Sequence, residues 1–72
     1  MHLTLGQLTQ IGRRLIGRTS RRIDPTESVR VTFPTGGSAV FVYCRATSRS
    51  GTAVYRSSHP AAAGFVVEIE QE

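Results

Sequence analysis

The chain has 72 residues, 39% of them hydrophobic, with nine arginines, no lysine and five acidic residues, for a formal net charge of +4. A chain of this size buries only about 60% of its unfolded surface, so we expect one marginally stable domain over residues 1–72. No run approaches the roughly 18 apolar residues of a membrane-spanning helix. One cysteine and two histidines exclude an internal disulfide and a structural zinc site, and we predict no cofactor.

The first segment, from Thr4 to about Gly17, predicts an amphipathic helix. Thr4 and Gln7 have the spacing of a capping box, and Gly17 is placed to end the helix. At 100° per residue, five apolar side chains fall within an arc of about 140°. They are Leu5, Leu8, Ile11, Leu15 and Ile16. An isolated helix of this length is marginal, so we expect it to dock on the rest of the chain.

The following segment, residues 18–27, is rich in arginine and contains Asp24-Pro25, which favours a loop or linker. From residue 28 onward the apolar period changes to two, which is typical of strands. Four strands are predicted, over residues 29–33, 39–46, 52–57 and 65–70. The sequence therefore predicts an α+β fold, an N-terminal amphipathic helix packed on a four-stranded antiparallel sheet. The alternative is a helix with a small closed β-barrel that encloses Phe41 and Tyr43.

One face of such a sheet is covered by the helix and the other is open. We expect the covered face to hold Val29, Val31, Phe33, Val40, Val42, Cys44, Phe65, Val67 and Ile69. The open face then combines aromatic and basic side chains, namely Arg30, Phe41, Tyr43, Arg45, Tyr55 and Arg56. This composition is that of surfaces that stack single-stranded bases, although Glu68 and Glu70 on the same side would repel phosphate. The other interpretation places Phe41 and Tyr43 in a barrel core or a dimer interface.

The strongest charge signal is a run of five arginines within ten residues that contains no acid: Arg13, Arg14, Arg18, Arg21 and Arg22. If the helix continues through the run, the arginines form a face that can track phosphates. If the helix ends at Gly17, they form a flexible arm suited to a minor groove or to RNA. A solvated basic edge without a ligand is the alternative interpretation.

The sequence contains few residues in positions suited to catalysis. The acidic residues form no pair at a useful spacing for acid–base catalysis. Cys44 lies in the middle of a predicted strand, where a thiol behaves as a small inert apolar group, and His59 precedes a proline in a loop. We therefore predict no catalytic residue and do not expect an enzyme.

The sequence favours a small, non-catalytic regulatory protein that binds a macromolecule. The leading hypothesis is binding to DNA or RNA through the arginine-rich helix or arm and the aromatic-basic sheet face. The alternative is a protein-binding inhibitor or adaptor of phage or mobile-element type, which docks on an acidic surface of a host protein. A single unpaired cysteine favours a cytoplasmic location, we expect no membrane partner, and homo-oligomerisation is left open.

Overall fold

The structure is a computed structural model that describes residues 2–72. Within that range the chain forms seven short strands and two three-residue 3-10 turns. The strands are β1 (His2–Thr4), β2 (Thr9–Ile11), β3 (Arg14–Thr19), β4 (Val29–Thr32), β5 (Ser38–Tyr43), β6 (Thr52–Arg56) and β7 (Val66–Gln71). The 3-10 turns are Leu5–Gln7, between β1 and β2, and Pro60–Ala62, between β6 and β7.

All seven strands belong to one sheet, in the order β1-β4-β5-β6-β7-β3-β2. β1 is parallel to β4 and β3 is parallel to β7, and the other neighbours are antiparallel. The edge strands β1 and β2 are joined through the first 3-10 turn, so the sheet curls into a half-barrel. β5 contributes to the curl because its first part pairs with β4 and its last two residues pair with β6.

The inner side of the half-barrel holds the hydrophobic core. Leu15, Val67, Tyr55 and Tyr43 lie opposite one another across β3, β7, β6 and β5 and form one row of this side. The large side chains that are most completely buried are Tyr55, Phe41, Leu15, Ile69, Val29, Val31 and Val67. Each such burial contributes about 1.5–3 kcal/mol, and together they stabilise the curl.

The predicted helix from Thr4 to Gly17 is wrong, and so are the α+β fold class and the helix-plus-barrel alternative. Gly12 has a φ of +61° and begins a two-residue turn that reverses the chain between β2 and β3. A positive φ at the first turn position is the geometry of a type II′ hairpin, which a helix cannot contain. β3 then pairs with β7, where Leu15 lies opposite Val67.

The capping signal at the start of the chain is real but serves a shorter element. The backbone N–H of Thr4 donates a hydrogen bond to Oε1 of Gln7 at 2.8 Å. The turn that follows ends after Gln7, because Leu8 has extended backbone angles. A capping box therefore marks the first 3-10 turn and not the beginning of a helix.

The four predicted strands correspond to β4–β7, and their antiparallel pairing is confirmed. The face assigned to β5 is wrong. Phe41 is fully buried at 0% exposure, whereas Val40 and Val42 point outward. Cys44 is only half-buried and is also not a core residue. The barrel alternative predicted that Phe41 points inward. This orientation is favoured because an aromatic ring buries more apolar area than a valine side chain does.

The arginine-rich segment contributes to the sheet before it becomes a loop. Arg18 and Thr19 are the last residues of β3, and the connection to β4 covers residues 20–28. Within it the Asp24 carboxylate accepts hydrogen bonds from the backbone N–H and the hydroxyl of Thr26, at 2.9 and 2.7 Å. None of the helical turns within residues 2–72 has the length and apolar character needed to cross a membrane.

Candidate macromolecule-binding face

The outer side of the half-barrel carries a row of alternating valine and arginine side chains. Val42 lies opposite Arg56, Arg56 opposite Val66, and Val66 opposite Arg14, across β5, β6, β7 and β3. Directly opposite residues of paired strands project from the same side of a sheet. At about 4.8 Å between strands, this row spans about 14 Å.

A second outward pair lies beside this row. Arg30 of β4 is opposite Val40 of β5, two residues along β5 from Val42, so both valines project from the same side. We call this combined surface the arginine–valine face. Its members are Arg14, Arg30, Val40, Val42, Arg56 and Val66.

Two aliphatic side chains of the arginine–valine face are exposed, and the third, Val66, is half-buried. Val40 is 41% exposed and Val42 is 61% exposed. Among residues 2–72, the only other large apolar side chain with such exposure is Ile11, at the edge of the sheet. A cluster of exposed apolar side chains bordered by polar groups is typical of interaction sites.

Charges on the outer side are divided between paired and unpaired arginines. Nε of Arg14 lies 2.5 Å from Oε2 of Glu68 and its Nη2 lies 3.2 Å from Oε1, while Nη2 of Arg49 approaches Oε1 at 3.7 Å. Arg18 pairs with Glu70 at 3.3 Å. Within residues 2–72, the ion pairs are limited to these three arginines, so the guanidinium groups of Arg30 and Arg56 have no carboxylate partner.

Glu68 is the one buried charged residue in the described part of the chain, at 6% exposure. The hydrogen bonds from Arg14 lower the pKa of its carboxyl, against the opposing effect of burial, and Arg49 adds a smaller attraction. The same hydrogen bonds raise the pKa of Arg14. A bidentate contact through Nε and Nη2 fixes the plane of the guanidinium, so Arg14 is held against the sheet while half of its side chain is exposed.

The five arginines of the run do not share one surface. Arg14 and Arg18 lie on β3 with their charges paired to glutamates. Arg13 occupies the turn between β2 and β3 and lies across Gly64, and its carbonyl accepts a hydrogen bond from the backbone N–H of Val66 at 3.0 Å. Arg21 and Arg22 are exposed in the connection after β3. The run therefore forms neither a helical face nor a continuous arm.

The predicted aromatic-basic surface is not present. Phe41 and Tyr55 are at most 2% exposed, and burial raises the pKa of the Tyr55 hydroxyl. Tyr43 is half-buried and meets Tyr55 edge-to-face, with ring centroids 5.8 Å apart. Of the basic members, Arg30 and Arg56 lie on the outer side of strands, and Arg45 is exposed in the β5–β6 connection.

The exposed valines are the site residues that the sequence did not reveal. Every position of β5 from 39 to 43 is apolar or aromatic, so alternation alone does not say which side faces the core. The usable signal is size, because Phe41 and Tyr43 bring more apolar area to one side than Val40 and Val42 bring to the other. Choosing the larger side as the core would have placed both valines outside.

The remaining candidate groups have local structural roles. Nδ1 of His59 accepts a hydrogen bond from the backbone N–H of Ala61 at 3.1 Å and so caps the second 3-10 turn. Hydrogen bonds from Thr47 lower the pKa of the Cys44 thiol. No three His, Cys, Asp or Glu side chains within residues 2–72 are grouped to hold a metal ion.

No protein-family model matches the chain, and neither a curated protein nor a solved structure is significantly similar to it. The geometry of the arginine–valine face and the chemistry of its residues are therefore the basis on which a function is inferred.

Proposed function

We propose that the protein is a non-catalytic binding protein whose arginine–valine face docks on an acidic surface of another protein. The observation that carries the proposal is the combination of exposed Val40 and Val42 with Arg30 and Arg56, for which no described ion pair exists. Such a surface fits a partner patch with apolar groups at its centre and carboxylates at its border.

Two features favour a protein over a nucleic acid as the partner. The arginines are interleaved with aliphatic side chains. Burial of these side chains against an apolar protein patch is favourable, whereas burial against charged phosphates is not. The aromatic rings that would stack on single-stranded bases are buried, since Phe41 and Tyr55 lie in the core. Arginine is also enriched at the centres of protein interfaces, where its guanidinium pairs with carboxylates in two parallel hydrogen bonds.

The shape of the face restricts its partner further. The face lies on the outer side of a curled sheet and crosses five strands, from β4 to β3, so it presents a convex surface about 19 Å across at about 4.8 Å between strands. A concave or cleft-shaped partner surface makes contact with more of it than a flat one does. We therefore propose an acidic cleft as the docking site on the partner.

A titration followed by NMR tests the proposal with a synthetic ligand in place of the natural partner. Isotope-labelled protein is titrated with a short peptide of alternating Glu and Leu residues. Two matched control peptides replace either every Glu by Gln or every Leu by Gly. Because the face combines charge with apolar area, we expect the Glu/Leu peptide to shift the amide signals of Arg30, Val40, Val42 and Arg56 more than either control does.

Variants identify the surface that responds. Val42→Ser and Arg56→Gln are expected to weaken the peptide-induced shifts several-fold, since each removes one component of the face. Arg45→Gln removes one charge from the β5–β6 connection and is the matched control, with shifts expected to match those of the wild type. Equal losses in Arg56→Gln and Arg45→Gln would mean that only net charge matters.

A parallel titration with a labelled duplex and a labelled single strand covers the nucleic-acid alternative. If an oligonucleotide binds with saturation and the Glu/Leu peptide leaves the arginine–valine face unchanged, the proposal of a protein partner is wrong. A steep loss of oligonucleotide binding with added salt would then assign the arginines to phosphate contacts.

A further inference from the structure

The edge strand β2 is open on one side, and its side chains are exposed. Thr9, Gln10 and Ile11 pair with β3 on one side, and β2 is the last strand of the sheet order. All three residues are exposed, and Ile11 is 55% exposed. An open edge offers unpaired backbone groups on which another strand can form.

The two edges of the sheet differ in how far they are protected. On β1 the backbone N–H of Thr4 is occupied by Oε1 of Gln7 at 2.8 Å. β2 contains no charged residue and no proline, which are the usual features that prevent edge pairing. Its one side-chain contact to the backbone is from Nε2 of Gln10 to the carbonyl of Gly12, at 3.1 Å.

The register of β2 identifies the backbone groups that are available. Ile11 and Arg14 flank the two-residue turn, so they form the hydrogen-bonded pair that closes the hairpin. Backbone groups alternate in direction along a strand, so the N–H and C=O of Gln10 point away from β3. An added strand would therefore pair at Gln10.

The surface next to this edge has a balanced charge. A groove of about 510 Å³ on the outer side is lined by Gln7, Thr9, Ile11, Ile16, Arg18 and Glu70. It combines apolar isoleucine side chains with an ion pair in which Nε of Arg18 lies 3.3 Å from Oε2 of Glu70. Two identical surfaces that meet across a two-fold axis repel one another when all their charges have the same sign, and a surface with both signs avoids this repulsion.

We propose that the protein forms a symmetric dimer in which β2 pairs antiparallel with β2 of a second copy, centred on Gln10. In this arrangement Ile11 of one copy lies opposite Thr9 of the other and covers the edge of the groove. The arginine–valine face does not suit the same purpose, because Arg30 and Arg56 of two copies would repel one another. The dimer joins two sheets into one and leaves the arginine–valine face free.

Sedimentation equilibrium tests the dimer directly. The contact along β2 is smaller than a standard interface of about 800 Å² per partner. We therefore expect a Kd for dimerisation between about 10 µM and about 1 mM. Over that range the weight-average mass of the wild type should rise from 7.9 kDa towards twice that value. A wild type that stays monomeric at the highest concentration would overturn the proposal.

Two substitutions on β2 and one control locate the interface. Ile11→Lys places a charge on the edge, and Gln10→Pro removes the outward N–H without affecting the pairing to β3. We expect each to weaken dimerisation at least ten-fold while the circular dichroism spectrum stays native. Val42→Lys on the arginine–valine face should dimerise like the wild type. Dimerisation that survives both β2 variants, or that is lost only in Val42→Lys, would contradict the proposed interface.

A cross-link provides a positive test of the register. Hydrogen-bonded antiparallel pairs have Cα atoms about 5.5 Å apart, within the range a disulfide spans. In a Cys44→Ser background, Gln10→Cys should therefore form a covalent dimer under mild oxidation, and Arg22→Cys in the exposed connection should not. Equal cross-linking of the two variants, or none at position 10, would exclude pairing centred on Gln10.

Discussion

Replacing Phe41 by alanine tests which side of β5 faces the core. Phe41 is fully buried on the inner side, and truncating a buried Phe costs about 3–5 kcal/mol. A domain of 72 residues has about 4–11 kcal/mol of total stability, at about 0.05–0.15 kcal/mol per residue. We therefore expect Phe41→Ala to remove a large part of the free energy of unfolding, and to leave the protein partly unfolded if its stability is at the lower end.

Val42→Ala is the matched control, one residue further along the same strand. Its side chain is 61% exposed, so the substitution should change stability by about 0.5 kcal/mol or less. Urea unfolding can be followed by circular dichroism and tyrosine fluorescence. With a slope of about 1 kcal/mol per M, Phe41→Ala should lower the midpoint by about 3–5 M and Val42→Ala by about 0.5 M at most. A loss in Val42→Ala equal to that in Phe41→Ala would refute the assigned orientation of β5.

Two further substitutions test the charge network and the hairpin. The hydrogen bonds from Arg14 lower the pKa of Glu68, so the stabilisation is present above the unfolded pKa of about 4.3 and is lost as the pH falls through the lower folded pKa. The melting temperature should therefore fall less steeply with acidification in Glu68→Gln than in the wild type, and parallel curves would contradict this. Gly12→Ala should cost about 1 kcal/mol in urea unfolding because of its positive φ, whereas Gly37→Ala, which meets no neighbour, should be nearly neutral.

The C-terminal strands were predictable because the pattern that defines them is local. Val29 and Val31 alternate with polar residues, as do Val67 and Ile69, and all four are buried. Neighbouring strands are joined by turns and pair antiparallel, which depends on no distant segment. β5 is the exception, since both of its sides are apolar and only the area of the aromatic rings decides between them.

The N-terminal strands were not predictable from local pattern. Leu5, Leu8, Ile11 and Leu15 are spaced as on a helix. In the structure Leu5 lies in a 3-10 turn and Ile11 is exposed on edge strand β2, whereas Leu8 and Leu15 are buried in the core. β3 is defined by its parallel pairing with β7, about fifty residues later in the chain. Local propensity is a weak guide where such a distant partner supplies most of the burial. Gly6 and Gly12 were the local signs against a helix, and Gly12 begins the turn.

The location of the candidate site follows from how the charges cancel. The sequence has arginines in excess, but it does not show which of them meet acids, because Arg14 and Arg18 find Glu68 and Glu70 only through the pairing of β3 with β7. The outer side of the sheet carries five arginines and two glutamates, a net charge of +3. The two glutamates face Arg14, Arg18 and Arg49, so +1 of this charge remains beside them. The other +2, from Arg30 and Arg56, lies on the other half of the sheet. The exposed valines lie on that same half. Because it combines unpaired charge with exposed apolar area, it is the surface on which binding of a partner has the most favourable free energy.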